Sequence, residues 1–346
     1  MSSITDVVAV TQLILSRYIL PICLILGIFG NICNICIFIQ KKLRSKPCAI
    51  YFIAASFINL LIIIFGIIPT IVASYIIDPI LYLSWACKLK LYGLHSLLMM
   101  SRSYIVLACI DQYIFCSSDI HVRLFSRRQI ALKLIFIVPI IWILIPLHIL
   151  IFVDVHIPYV RCGPSNVYSL IYSIYSFVFT SLPLILMVLF SLLTFYNIRR
   201  ISRRILPIFN NRRSVDGIRF RRYDYQIMRM LICQVIVYLI STILHPTNTL
   251  YRSLTIVSKD SPVKSSSRQV IEDFITYLTW SFLIYLNSCS TFYINFCVSQ
   301  VFRSRFYRLR NYLLSWLRHD QEGQRLFVQN NRRISVGMRS LQRQQY

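Results

Sequence analysis

Lys88–Phe115 reads KLKLYGLHSLLMMSRSYIVLACIDQYIF. Between Lys90 and Asp111 the only charged side chain is Arg102. A hydrocarbon core of about 30 Å is crossed by a helix of roughly 20 mostly apolar residues, and this stretch meets that demand with polar ends. The step from Cys87 to Gln112, 25 positions, rises about 38 Å as an α-helix. That sets a cysteine at one membrane interface and the acidic–polar–aromatic triplet Asp111-Gln112-Tyr113 at the other. Six further stretches share this character: Arg17–Gln40, Ala49–Ile77, Ile130–Val153, Tyr168–Asn197, Gln226–Val257 and Val270–Val298. Each is too long for the roughly 10-residue alternating segments of a membrane β-barrel. The fold class expected is therefore an all-α membrane protein, a bundle of seven transmembrane helices.

Composition agrees. Of 346 residues, 57% are hydrophobic and 14% charged, where a soluble domain carries about 25% charge; mean hydropathy is +0.63. Only eight glycines occur, which leaves collagen-like and Gly-linker readings without support. The net charge of +25 at first invites a nucleic-acid partner. The basic residues, however, cluster between the apolar stretches, where they act as orientation signals and attract anionic lipid. No nucleic acid is expected.

Lys and Arg crowd one side of the predicted spans: Lys41–Lys46, Arg123–Lys133, Arg199–Arg222 and the C-terminal tail. The positive-inside rule makes that side cytoplasmic, with the N-terminus outside and the C-terminus inside. The run from Tyr18 is too long for a signal-peptide core, and Lys41, Lys42 and Arg44 after it form a stop-transfer pattern. Four parts are expected: a short extracellular N-terminus (1–16), the seven-helix domain (17–298), an amphipathic helix (299–317) and a basic, disordered cytoplasmic tail (318–346). The amphipathic helix is read from Phe302, Phe306, Leu309, Leu313 and Trp316, spaced on one face with arginines between, a pattern that lies on a leaflet surface.

From about residue 18 to 316 the chain resembles the rhodopsin-like family of G-protein-coupled receptors, as a divergent member closest in texture to invertebrate receptors for short amidated neuropeptides. The resemblance rests on Gly30-Asn31 in the first segment, on Cys87 and Asp111-Gln112-Tyr113 in the third, and on Trp142, Pro183 and Pro246 in the next three. In the seventh it rests on Leu286-Asn287-Ser288-Cys289, with Phe302-Arg303 following. The family has a disulfide at the position of Cys87. Of eleven cysteines only Cys87 and Cys162 fall in expected external, oxidising positions, so these two are expected to pair; the rest read as small apolar fillers. The resemblance implies a plasma-membrane receptor that senses an extracellular ligand, a neuropeptide, and activates a heterotrimeric G protein, with anionic inner-leaflet lipids as further partners. Its coupling and switch positions are Asn31, Asn59, Asp111, Gln112, Tyr113, Pro246, Asn287 and Asn295.

The departures bear on signalling. Where the family carries an arginine after the acid, this chain has Gln112; the sodium-binding aspartate is Asn59; the aromatic switch residue two before Pro246 is Leu244; and the Asn-Pro-x-x-Tyr stretch is Thr291-Phe292-Tyr293-Ile294-Asn295. An amine receptor would carry an aspartate where Leu94 stands, and a photoreceptor a lysine where Tyr285 stands, so neither an amine ligand nor a retinal cofactor is expected. No cofactor or metal is otherwise implied. Candidate ligand contacts are Leu94, His95, Tyr172, Tyr251, Tyr277 and Trp280, and Glu272 and Asp273 offer charge to a basic peptide. Arg102, mid-way along its segment, is the intramembrane charge; it costs roughly 2.5–3.5 kcal/mol on insertion scales and so points to function.

Rival classes fare less well. A transporter would show repeats and several midplane charges, and an intramembrane enzyme a catalytic pair at membrane depth, whereas His95, His148 and His245 are scattered over three segments. The protein is not read as an enzyme. The harder alternative is a receptor-like protein with reduced or no G-protein signalling, which Gln112 fits, with a small transporter behind it.

Overall fold

The computed structural model describes residues 2–76, 83–117, 119–156, 161–164, 166–205, 214–257, 266–312 and 314–315. It has two compact units, Met1–Ser299 and Gln300–Tyr346.

In the first unit, six helices are long and apolar enough to cross a membrane: α1 (Ile4–Phe38), α2 (Pro47–Val72), α3 (Ser84–Phe115), α4 (Arg128–Phe152), α5 (Tyr168–Arg200) and α6 (Tyr225–Thr255). The stretch from Ser266 to Val298, here α7, is also helical throughout but is not among those six. Its apolar character is diluted by Glu272 and Asp273 near its start and by Asn287, Ser288, Ser290, Thr291 and Asn295 further on. The first helix begins at Ser2 rather than Arg17, since Val7, Val8, Val10, Leu13 and Ile14 extend the apolar run toward the N-terminus.

The bundle is polar inside and apolar outside. Ile25, Phe136, Ile151, Ile185 and Ile240 are each more than 60% exposed, while Asn31, Asn34, Asn59, Arg102, Gln112, Gln234 and Asn295 are each 3% exposed or less. Water would reverse that distribution, because exposed apolar surface costs about 25 cal/mol per Å². Lipid favours it. These are the features of a multi-pass helical membrane protein.

Local chemistry sets the irregularities. Pro246 leaves the carbonyl of Thr242 without its helical donor. The helix accordingly breaks for one residue between Thr242 and Leu244, where the Thr247 hydroxyl donates to the carbonyls of Ile243 (2.9 Å) and Leu244 (3.0 Å). Wide π-turns interrupt α1 at Leu15–Ile19, α2 at Ile63–Ile67 and α7 at Leu278–Leu283. The α2 turn precedes Pro69 and presents Gly66 to the ring of Tyr285, so close that a Cβ there would sit 2.2 Å from Cε1. At Gly30 a Cβ would lie 2.9 Å from that of Phe292; small residues let α1 and α7 pack backbone to backbone.

Between α4 and α5 the chain forms an antiparallel hairpin, β1 (Val153–His156) with β2 (Arg161–Pro164), in the register Val153↔Pro164 to His156↔Arg161. Cys87 at the start of α3 is bonded to Cys162 of β2, with Cα atoms 5.7 Å apart, as the sequence predicts. The disulfide packs with Ile149, Val153, Tyr168 and Tyr172.

In the second unit residues 300–312 are helical, carrying Phe302, Phe306 and Leu309. Leu313 and Trp316, which complete the expected apolar face, and the expected tail from 318 lie outside the described residues.

Candidate functional site

Beside the hairpin lies a cavity of about 380 Å³. Leu91 of α3, Cys162–Pro164 of β2, Tyr172 of α5, His245 of α6 and Trp280 of α7 are in its wall. Its polar lining comes from serines one helical turn apart on α5. Ser173 meets Ser253 of α6 at 2.5 Å, and Ser169 meets it at 3.5 Å. Asn248 donates to Thr276 of α7 at 3.0 Å.

The expected ligand contacts divide among several places. Tyr172 and Trp280 line this cavity, and Trp280 lies against His245 with ring centroids 4.7 Å apart. Leu94 and His95 are buried on α3. Tyr277 lines a second cavity of about 220 Å³ with Ser16, Thr70, Ser74 and Lys90, and its hydroxyl bonds Ser16 and the carbonyl of Gln12. Tyr251 is half-exposed, and its hydroxyl joins Arg268 (2.5 Å) and Glu272 (3.2 Å).

That last cluster alters one expectation. Glu272 accepts from Arg268 at 3.0 Å and Asp273 pairs with Arg252 at 2.8 Å. Both carboxylates therefore bind the protein's own arginines, and Arg252 also donates to Thr276 at 2.6 Å. A basic peptide would have to displace them.

Two of the histidines that look scattered in sequence, His95 and His148, meet on one tyrosine ring. His95 meets the Tyr175 hydroxyl at 3.1 Å, and His148 stacks edge-on to the same ring at 4.5 Å while bonding the Tyr168 hydroxyl at 2.5 Å. The aromatic row continues through Phe179 to Trp142, whose indole N–H donates to Ser103 at 2.7 Å. Trp142 thus pins α4 to α3. Outside the spans, the Ser84 hydroxyl, the Val155 amide and Lys88 (3.6 Å) hold the Asp154 carboxyl below the usual carboxylate range.

Arg102 is 2% exposed. Its guanidinium lies 5.4 Å from the Tyr238 ring centre and its Nη1 reaches Met99 Sδ at 4.0 Å. Among the described residues Nε finds no partner, and no carboxylate pairs with the guanidinium.

The switch positions fall into two groups. Asn31 donates to the carbonyls of Gly27 (2.8 Å) and Ser288 (2.9 Å). Asn34 links to Thr291 (3.3 Å), Asn295 to Asn34 (3.3 Å), and Gln234 of α6 to Asn295 (2.7 Å). One polar network therefore ties α1, α6 and α7, and Ser101 binds Asn59 at 2.7 Å across α2 and α3. Asn287 is buried with its Oδ1 unpartnered, and Pro246 makes the break in α6. At the far end of α3, Asp111 accepts from Ser126 at 2.7 Å and Tyr113 lies against Phe190 at 5.6 Å. Among the described residues the Gln112 amide donates to Cys116, the C-cap of its own helix, at 3.5 Å.

No family model matches the chain, and no curated protein matches it closely enough to count as a relative. The arrangement must therefore be read on its own chemistry. It offers a walled cavity at the disulfide end, a buried cation at mid-depth, and an interhelical amide network leading to the opposite end of the bundle.

Proposed function

We propose that this protein is a rhodopsin-like G-protein-coupled receptor: a seven-span bundle that senses an extracellular neuropeptide and activates a heterotrimeric G protein. The observation that carries the reading is the cavity between α3, α5, α6 and α7, walled by a hairpin that the Cys87–Cys162 disulfide holds to the start of α3. A pocket between helices is where bundles take small ligands. The amide network from α1 through α7 to α6 supplies a two-ended path, since membrane helices held by hydrogen bonds worth about 0.6–2 kcal/mol each rearrange cheaply. In this reading α7 is the seventh span, its polar residues facing neighbouring helices rather than lipid.

A second reading has a specific observation in its favour. Gln112, where the family has arginine, bonds within its own turn among the described residues, and such a residue has no charge to offer a G protein. The protein would then bind ligand with little or no G-protein output. G-protein activation in cells, run on native protein and Gln112→Arg against a peptide library, separates the two. Native activation supports the receptor. A response from Gln112→Arg alone supports the attenuated form. Silence from both, with surface expression verified, contradicts the peptide-receptor proposal.

A further inference from the structure

We infer that Arg102 is a latch: its guanidinium holds the first segment of α6 against α3 through the ring of Tyr238, and release of that contact lets the segment part from α3. The inference goes beyond the receptor reading, because it concerns the bundle alone and holds with or without a G protein.

α6 is built in two segments. Its helix stops at Thr242 and resumes at Leu244, next to Pro246, and sharp bends in helices sit at prolines of this kind. The segment after the break lines the cavity with His245, Asn248, Thr249, Arg252 and Ser253. The segment before it carries Gln234 and Tyr238, four residues apart and so on one face. Arg102 of α3 is 2% exposed and Tyr238 5%, with the guanidinium 5.4 Å from the ring centre. A cation over an aromatic face is held more tightly away from water than at a surface. Met99, which the guanidinium also touches, belongs to α3 itself, so the Tyr238 ring is what ties the arginine to α6. One turn away on the same face, Gln234 donates to Asn295 of α7 at 2.7 Å.

This arrangement is not fully satisfied. Arg102 Nε and Gln234 Oε1, a donor and an acceptor, are both buried without a partner among the described residues. Such atoms carry a desolvation cost, and parting of α6 from α3 would let water reach both. A ring contact that closes the joint and two orphaned atoms that favour opening it therefore oppose each other below a helix break. That balance is what a two-state element needs. It also gives the one charge at this depth a task that a packing residue would not require.

The test is a distance between spin labels on the full-length protein in detergent. The labels are attached through unnatural side chains at Leu124, just beyond α3, and Tyr225, at the start of the α6 span; both positions are exposed and the native cysteines stay untouched. Arg102→Gln and Tyr238→Leu should each raise the ratio of a longer to the native distance by roughly 30-fold. Tyr238→Phe keeps the ring and should stay near native. The double variant Arg102→Gln/Tyr238→Leu should open no further than either single, since both remove one contact. Gly66→Ala, which disturbs α2 on α7, should leave this distance alone. An unchanged distance in either single variant, a double variant that multiplies the two effects, or equal lengthening in Gly66→Ala each overturns the latch. Should Arg102→Gln fail to fold, Tyr238→Leu against Tyr238→Phe decides, and equal distances overturn it. No ligand or G protein enters this measurement, so its failure leaves the receptor reading standing, and a silent cellular assay leaves the latch standing.

Discussion

Gly66 makes a sharp prediction because the same chemical change elsewhere should have the opposite sign. A Cβ at Gly66 would stand 2.2 Å from Cε1 of Tyr285, 2.6 Å from Cζ and 2.6 Å from the hydroxyl oxygen. Carbon atoms prefer about 3.5–4.0 Å, so the ring must retreat by more than about 1 Å. It has little room, being 2% exposed and tethered through its hydroxyl to Thr70. Overpacking of this kind costs typically about 1–3 kcal/mol, and the rigidity of the clashing ring puts Gly66→Ala near 3. In a protein of this size that is a fall of about 4 °C in apparent melting temperature. Gly93 in α3 meets nothing within 4 Å of its would-be Cβ. There alanine removes the helix penalty of glycine and should gain about 0.5–1 kcal/mol. Adding Tyr285→Leu to Gly66→Ala should cost less than the two singles summed, since they share one contact. The assay is thermal unfolding of purified protein in detergent. If Gly66→Ala melts within a degree of native, or shifts as Gly93→Ala does, the packing of α2 on α7 described above is wrong.

Other perturbations have comparable readouts. Asn31→Leu removes donors to two buried carbonyls, Gly27 and Ser288, and should destabilise by about 1–2 kcal/mol, read by the same melt. Trp142→Phe keeps the ring but loses the bond to Ser103; a loss of about 1 kcal/mol is expected, and Ser103→Ala should add little to it. Cys87→Ser opens a loop closed over a sequence separation of 75 residues, worth up to about 4.5 kcal/mol by chain entropy in water. Because membrane spans persist in the unfolded state, the measured loss should fall below that bound, and an equal or larger loss argues against the spans. Asp154 has a depressed carboxyl pKa, so its contribution is present above the ordinary carboxylate range and is lost as pH falls through its folded value. Hydrogen-exchange protection factors at the β1–β2 hairpin, which take each rate relative to the intrinsic rate at that pH, should fall in that acid window, and Asp154→Asn should remove that fall.

The sequence makes the spans legible because membrane helices announce themselves by length and apolarity, and α2 through α6 fall close to the stretches read from residues alone. The Cys87–Cys162 bond was legible for a related reason: sidedness leaves few oxidising positions. The seventh segment was harder. Its Thr291 and Asn295 side chains bond neighbouring helices, and with Asn287 and Ser288 they lower the apolar signal by which a span is read. The hairpin was invisible, since Val153–His156 is four residues long and continues an apolar run. At the site, residue type gave candidates but not company. Tyr172 and Trp280 line one cavity and Tyr277 another, while Ser169, Ser173, Ser253 and Asn248 were passed over. Serines spaced a helical turn apart on α5 were their only signal, and only the packing of α5 on α6 turns that spacing into a cavity wall. The Arg252–Asp273 pair likewise depends on the end of α6 lying beside the start of α7, whereas Arg268–Glu272 is a local i,i+4 pair that spacing alone could have shown.

The central claim is a seven-span bundle with its ends on opposite faces of the membrane, and sidedness tests it most directly. Epitope tags at the two termini of the full chain, probed with antibody on intact and on permeabilised cells, give the answer. The account predicts that the N-terminal tag is labelled on intact cells and the C-terminal tag only after permeabilisation. Labelling of both tags under the same condition would mean an even number of spans, leaving α7 out of the membrane and contradicting the receptor reading.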